Sequence, residues 1–257
     1  MSGFAVLLRK ELAESWRTRR LPVVALLFIT VGIISPLTAR YLNEILTAAL
    51  GDQLTIPLPE PTATMALDQL LKNLAQFGGL AAIALAMGSV SGELDRGTAA
   101  LVLAQPATRA AFLGAKLTAI SIVIGICTLL AIAVGWVYTA ILFEALAIAG
   151  WIVLAILVWL ALVAWAAVTF AASAATGSTT AAAGIGFVAL IAISLVAVIP
   201  ALNDVLPTGL STPAILIASG DTSTLDTGAL ATSIVGTLIL IGACGVGALA
   251  AFRRREL

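Results

Sequence analysis

The sequence predicts an all-α integral membrane protein with six transmembrane helices, an amino-terminal interfacial elbow helix and both termini in the cytoplasm. Three features of the composition predict this class. Hydrophobic residues make up 61% of the 257 residues, whereas a soluble domain has about 45–50%. Charged residues make up only 10% of the chain, and the mean hydropathy is +1.14. A soluble fold of this composition could not cover its surface with polar groups, so the bilayer must be its solvent.

Charge-free apolar stretches mark the spans, because a helix needs roughly 20 apolar residues to cross the hydrocarbon core. The first twenty residues hold five basic and two acidic side chains, which argues against a cleavable signal peptide. A polar cluster at residues 173–180 divides the longest apolar stretch into two helices. We predict a single transmembrane domain, 1–257, with spans at about 21–39, 66–92, 117–143, 146–173, 181–202 and 227–252.

Two connections on the external side, 40–65 and 203–226, are longer than turns. Prolines at positions 57, 59 and 61 block a continuous helix in the first connection. The second connection holds an apolar piece at 214–218 that is too short to cross the membrane. This piece is expected either to lie at the interface or to re-enter the outer leaflet.

The distribution of basic residues decides the orientation. With both termini inside, 11 of the 13 Lys and Arg residues are cytoplasmic, in agreement with the positive-inside rule. Only Arg40 and Lys72 are then external. We therefore predict a multi-pass protein of the cytoplasmic (inner) membrane of a prokaryote.

The residue types that are missing exclude several kinds of site. The sequence has no histidine, so it can form neither a His-containing metal site nor a Ser-His or Cys-His catalytic pair. Cys127 and Cys244 lie in apolar runs without metal-ligand spacing, and we interpret them as packing residues. No ionisable residue lies deep in a predicted span, which disfavours a proton-coupled or ion-coupled carrier. We predict no catalytic or metal site and, since acidic and basic residues balance, no nucleic-acid partner.

The amino-terminal segment carries an apolar stripe that repeats every four residues. A helix with such a stripe and with basic residues on its other faces can rest in the headgroup layer of a membrane. Leu7 and Glu11 interrupt the pattern, and the alternative is a basic flank that only sets the topology. The stripe consists of Phe4, Leu8, Leu12 and Trp16.

Residues 93–116 form the one substantial cytoplasmic connection between spans, and their pattern suits the docking of a partner. Gly97-Thr98 can open a short apolar helix, and Pro106 stops it. The alternative is an interfacial helix without a partner. The residues that define the pattern are Glu93, Arg96, Gly97, Thr98, Leu101, Leu103, Gln105, Pro106 and Arg109.

This connection resembles that of the permease (transmembrane) subunits of the second export class of ATP-binding-cassette transporters. The shared pattern runs from Glu93 through Gly97-Thr98 and Pro106 to Leu113-Gly-Ala-Lys116, and the opening Leu8-Arg-Lys-Glu-Leu12 resembles the family's interfacial elbow. The resemblance implies a permease coupled through this connection to a separate cytoplasmic ATPase. It also implies a second permease copy, which we expect to form a homodimer. ATP and Mg are expected in the ATPase, since this chain has no phosphate loop.

Two other functions stay open on the sequence alone. The chain could anchor or help to assemble a cytoplasmic partner without moving a substrate, or it could act as an ATP-independent carrier. An uncharged membrane interior favours a lipophilic or amphipathic cargo, and the sequence does not identify that cargo further.

Overall fold

The computed structural model describes residues 3–50, 60–97, 108–144 and 146–254, and every regular element within these ranges is a helix. A helix at Gly3–Arg17 precedes six helices that are long and apolar enough to cross a membrane. The prediction of an all-α protein with six membrane-crossing helices is therefore confirmed. We number these helices as spans one to six: Arg20–Arg40, Ala63–Asp95, Arg109–Leu142, Ile148–Thr176, Thr179–Val196 and Thr227–Arg253.

Span two is not a uniform α-helix. A π-helical turn at Leu74–Gly78 separates a helix at Ala63–Asn73 from one at Gly79–Met87, and a last short helix covers Ser91–Asp95. A π-helical turn bonds each residue to the fifth one along, and such turns occur frequently at functional sites. This turn was not predicted from the sequence.

The connection between spans one and two begins with a helix at Leu42–Leu50. Thr62 accepts a hydrogen bond from the Met65 N–H at 3.3 Å and caps the start of span two. The predicted break in this connection rests partly on prolines 57 and 59, which lie outside the described residues.

Span three begins earlier than predicted because its first turn is capped. Thr108 accepts a hydrogen bond from the Ala111 N–H at 3.1 Å, and the helix starts at Arg109. Arg109 and Lys116, which were predicted to lie in the connection before the span, therefore lie on the helix itself. This shortens the connection between spans two and three to residues 96–108.

The polar cluster at residues 173–180 divides spans four and five, as predicted. Gly177 has a left-handed backbone, with φ +67°, and ends span four. Ser178 then accepts a hydrogen bond from the Ala181 N–H at 3.3 Å and caps span five. The two spans pack against each other on either side of this break.

Span four forms the centre of the bundle. It contacts spans two, three, five and six as well as a short helix at Ser211–Ser219. Within its most apolar stretch 67% of the residues are buried, against 11% in spans five and six. Spans five and six therefore keep most of their apolar surface open, toward lipid or toward another protein.

The segment after span five folds back onto the bundle. Leu210, Ala214 and Ala218 are buried, and the helix that carries the last two packs against spans two and four. Gly150 permits this approach, because a Cβ atom there would overlap the carbonyl oxygen of Ile217. The apolar piece 214–218 thus packs on the spans instead of extending away from them. The helical elements of this segment are Pro200–Asn203, Pro207–Leu210 and Ser211–Ser219.

Candidate coupling junction

Five charged side chains meet where the amino-terminal helix contacts spans two and three. The Nζ atom of Lys116 lies 2.8 Å from Glu93 Oε1 and 3.0 Å from Glu11 Oε1. The Nζ atom of Lys10 lies 3.0 Å from the same Glu93 oxygen and 3.5 Å from Glu14 Oε2. Glu93 ends span two and Lys116 belongs to the first turns of span three, while the other three residues come from the amino-terminal helix. We call these five residues the charged junction.

The centre of the charged junction is shielded from solvent. The side chain of Lys116 is 3% exposed and that of Glu93 is 10% exposed. Loss of one partner from such a pair leaves an uncompensated buried charge, which is strongly destabilising. The carboxylates of Glu11, Glu14 and Glu93 lie within 4.8 Å of one another, and the two lysine ammonium groups compensate two of their three negative charges. The arrangement is therefore an ion-pair network that holds three helices together.

Lys10 is held in its charged form by this network. Burial lowers the pKa of Lys10, but its hydrogen bond to Glu93 and the charges of Glu11 and Glu93 raise it by more. The pKa of Lys10 therefore lies above its ordinary value. The stability that this raised pKa contributes is fully present below the ordinary lysine pKa. It is lost only as the pH rises through the higher pKa of Lys10 in the folded chain.

The inward face of the amino-terminal helix explains how Glu11 reaches the junction. Leu7 is buried, and Leu8 and Leu12 pack against the hydrophobic core. Glu11 follows Leu7 by four residues and so lies on the same face of the helix. Leu7 and Glu11 interrupt the predicted apolar stripe because they face the protein, whereas Trp16 at the end of the stripe is 65% exposed.

Arg109 connects the start of span three to the end of span six. Its Nη1 atom donates to the carbonyl oxygen of Arg253 at 3.0 Å and lies 3.4 Å from that of Phe252. The Phe252 ring stacks on Phe112 with ring centroids 5.7 Å apart. A cation at this position pairs with carbonyl groups that a helix leaves without internal partners at its carboxyl end. The amino-terminal helix and the end of span six therefore lie at the same end of the bundle, which we call the loop end.

A hydroxyl network joins the end of span two to the boundary between spans four and five. Ser173 Oγ accepts hydrogen bonds from the Ser91 N–H at 3.0 Å and from the Val90 N–H at 3.3 Å. The hydroxyl oxygens of Ser91 and Thr179 lie 2.9 Å apart. These contacts satisfy backbone donors where the helix of span two is interrupted. The 96–108 connection thus begins and ends on anchored helices.

The structure describes about half of the predicted coupling residues. Glu93 and Arg109 make the contacts above, Arg96 donates its Nε–H to the Gly92 carbonyl oxygen at 2.9 Å, and Gly97 has a left-handed backbone. The remaining predicted coupling residues lie in the range 98–107, outside the described part of the chain: Thr98, Leu101, Leu103, Gln105 and Pro106.

Sequence reasoning placed Lys116 in the predicted coupling connection and Lys10 and Glu11 in the predicted elbow, but it did not pair any of the three with Glu93. One signal was present, since Lys10 and Glu14 have the i,i+4 spacing of a helical ion pair. The partners of Glu11 and Lys116 could not be found in this way, because these two residues are 105 positions apart.

The chain is similar to a known protein family and to a transmembrane protein of a bacterium. A family model described as "ABC-2 family transporter protein" matches residues 5–218, which contain the charged junction and the 96–108 connection. An uncharacterized transmembrane protein of Bacillus subtilis (strain 168), YxlG, is 31% identical over 147 residues. That alignment covers 56% of this chain and 57% of the relative, so the chain matches little more than half of the relative's length.

Proposed function

The chain belongs to the ABC-2 family of transporter proteins, and we propose that it is the membrane-spanning permease subunit of an ATP-driven exporter. A separate cytoplasmic ATPase, which binds ATP and Mg, supplies the energy. This chain provides the path through the membrane and the surface on which the ATPase acts. It has no catalytic role of its own.

The observation that carries this proposal is the anchoring of both ends of the 96–108 connection. Glu93, just before it, pairs with the amino-terminal helix and with span three. Arg109, just after it, bonds to the last turn of span six. A partner that moves the connection would therefore act on several helices together, since coupling between sites is carried by packed and bonded elements.

The docking element is proposed to be the segment from Thr98 to Gln105. Glu93 and Arg96 position its departure from span two, and Arg109 positions its return to span three. The short apolar sequence between Gly97 and Pro106 suits a hydrophobic groove on the ATPase, in the way that an amphipathic helix occupies a groove of its partner.

A second copy of the chain is proposed to complete the exporter as a homodimer within the lipid membrane. Among the residues that the structure describes, no side chain and no backbone of another segment lies within 4 Å of the position that a Cβ atom would take at Gly184, Gly242 or Gly245. Small residues on an open face allow another helix to approach closely in a membrane. These glycines lie on spans five and six, which carry the most open apolar surface.

The proposed orientation places the loop end in the cytoplasm of a prokaryotic cell, at the inner membrane. We expect single cysteines at Ser178 and Arg255 to be shielded from an impermeant maleimide in intact cells, and a cysteine at Glu144 to react. The background lacks Cys127 and Cys244, and permeabilised cells provide the control for reactivity. Labelling of the Ser178 position from outside would contradict the orientation.

The amino-terminal helix is proposed to be an interfacial elbow that takes part in coupling. We expect the double variant Leu12→Asp, Trp16→Asp to insert into the membrane but to yield less complex with the ATPase. Burying each apolar side chain contributes roughly 1.5–3 kcal/mol, whereas insertion is directed by the later spans. Immunoblots of membranes and of purified complex measure both quantities. Ala13→Asp, at an exposed position of the same helix, is the matched control. Normal assembly and transport by the double variant would show that the helix serves only as a topology signal.

The proposed function is tested by purifying the tagged chain from its native membrane and identifying what is bound. We expect a protein with a phosphate loop to co-purify, and the reconstituted pair to hydrolyse ATP and move a substrate across vesicles. Co-purification of an enzyme without ATPase sequence features would favour the membrane anchor. Substrate movement without ATP would favour the carrier.

A further inference from the structure

The bundle contains a cavity of about 390 Å³ between spans two, four and five and the segment that folds back after span five. Its walls are mainly apolar, and Trp165, Leu162, Leu190, Leu210 and Ala214 form much of them. A cavity of this volume and character falls in the range of small-molecule binding sites, about 300–1,000 Å³. None of its lining residues belongs to the charged junction.

Lys72 and Gln76 are exposed polar side chains that line the cavity, and Lys72 pairs with Asp68 at 2.6 Å. The hydroxyls of Ser194, Ser211 and Thr208 already donate to Leu190, Thr208 and Asn203 at 2.7–2.8 Å. The side-chain amide of Gln76, in contrast, has no hydrogen-bond partner among the residues that the structure describes. Gln76 is exposed and stands one helical turn from Lys72, so its amide lies where the cavity opens and a bound molecule can reach it.

The position of Gln76 is set by the π-helical turn of span two. Leu74–Gly78 forms this turn, and both Ala75 and Gln76 line the cavity. Gly78 allows span four to approach at the same level, where a Cβ atom would lie 3.1 Å from Leu162. The irregular turn thus places one amide beside an apolar chamber, an arrangement typical of a binding site rather than of regular helix packing.

We propose that this cavity binds a single-chain amphiphile, whose apolar chain fills the chamber and whose ester, amide or hydroxyl group bonds to Gln76. The chemistry of the lining selects this class, since Gln76 can both donate and accept a hydrogen bond. A cavity of about 390 Å³ is too small for a helix of several turns, whose diameter with side chains is about 10–12 Å. This chain binds the amphiphile without the ATPase. The further idea, that the amphiphile is the transported substrate, rests on the proposed function.

The site is tested by photolabelling of the purified chain without any ATPase. The chain is reconstituted in phosphatidylcholine vesicles that contain a monoacylglycerol with a diazirine near the end of its chain. After irradiation, the labelled residues are located by peptide mass spectrometry. We expect label concentrated on cavity residues of the ranges 157–165 and 207–214. Label spread evenly over lipid-facing residues such as Ile156 and Val246, or absent from the cavity, would overturn the proposal.

Variants separate specific binding from general contact with lipid. Ala161→Phe fills the cavity and is expected to lower labelling there about tenfold, while Ala133→Phe, on the exposed face of span three, leaves it unchanged. Ala75→Phe provides a second filling variant if Ala161→Phe fails to fold. Gln76→Leu is expected to lower labelling by the monoacylglycerol about threefold to tenfold, as expected for one hydrogen bond, and to spare labelling by a diazirine alkane. Equal labelling of wild type and both filling variants would refute the site.

Failure of the site and failure of the proposed function are distinguishable. A chain that labels in the cavity but shows no ATP-dependent transport would contradict the exporter and leave the binding site standing. A chain that transports normally with Ala161→Phe and Ala75→Phe, and labels nowhere in the cavity, would contradict the site and leave the exporter standing.

Discussion

Replacing Lys116 with methionine is expected to lower the stability of the folded chain by about 3–5 kcal/mol, the effect of removing one partner from a buried ion pair. The Lys116 side chain is 3% exposed and contacts Glu11 at 3.0 Å and Glu93 at 2.8 Å. Methionine retains the apolar volume but leaves both carboxylates without their nearest cation. A thermal-shift measurement on the purified chain in detergent should show a large loss of apparent melting temperature.

The exposed ion pair at the other end of span two provides the matched control. Lys72 lies 2.6 Å from Asp68, but its side chain is 68% exposed. Lys72→Met is expected to cost less than about 1 kcal/mol, as exposed pairs do. Equal melting temperatures for the Lys116 and Lys72 variants would show that burial of the junction contributes nothing.

A double-mutant cycle assigns the effect of Lys116 to its contact with Glu93. Glu93→Gln removes the charge that Lys116 compensates, so the double variant Lys116→Met, Glu93→Gln should lose less than the sum of the two single losses. Strict additivity would contradict direct pairing. The cycle also separates the charged junction from packing, because methionine and glutamine preserve the side-chain volumes.

The double variant Leu101→Asp, Leu103→Asp is expected to abolish coupling to the ATPase without unfolding the chain. Truncating a buried interface anchor commonly costs about 2 kcal/mol, which corresponds to about thirtyfold weaker binding. A carboxylate in an apolar groove adds its own desolvation cost. We expect the ATPase to dissociate, or to remain bound and hydrolyse ATP without transport. Co-purification and ATP-dependent transport in vesicles measure these two outcomes.

Asp221→Ala is the control for this experiment. Asp221 is exposed in the connection between spans five and six, and hydrogen bonds from the Ser223 side chain and backbone hold its pKa below its ordinary value. In the proposed orientation this connection faces away from the ATPase, so the variant should bind and transport normally. Normal complex formation and transport by the Leu101, Leu103 double variant would refute the coupling role and favour the anchor.

The two predictions differ in the property that changes. Lys116→Met acts on the folded bundle, and its effect appears in the isolated chain. The Leu101, Leu103 substitutions act on a surface that matters only with a partner, so the isolated chain should melt like the wild type. Together they separate the internal anchoring of the connection from its external contact.

The number and type of the spans could be predicted from the sequence because they depend on local properties. In lipid every backbone polar group needs an internal partner, so an apolar run of about 20 residues becomes a helix wherever it stands. The break between spans four and five was equally local, since Gly177 and Ser178 supply a left-handed end and a cap. The start of span three was missed because Arg109 and Lys116 were treated as flanking charges, although Thr108 caps a helix that contains both.

The candidate site was only partly predictable from the sequence, because its contacts join residues that are far apart in the chain. Glu93 and Arg109 could be named from their pattern, but the partners that hold them come from distant parts of the chain. Lys10 and Glu93 are 83 residues apart, and Arg109 bonds to Arg253 across 144 residues. Which charges meet depends on how each helix is rotated about its axis, and packing between neighbouring helices sets that rotation.

The sequence by itself therefore determined the all-α class, the six apolar helices and the place of the connection between spans two and three, since hydropathy and caps act over one or two helical turns. Only the tertiary structure decided the charged junction around Lys116, the π-helical turn that presents Gln76, and the cavity beside it. These features arise where three or more helices meet, and their geometry is set by side-chain packing between segments that are far apart in the chain.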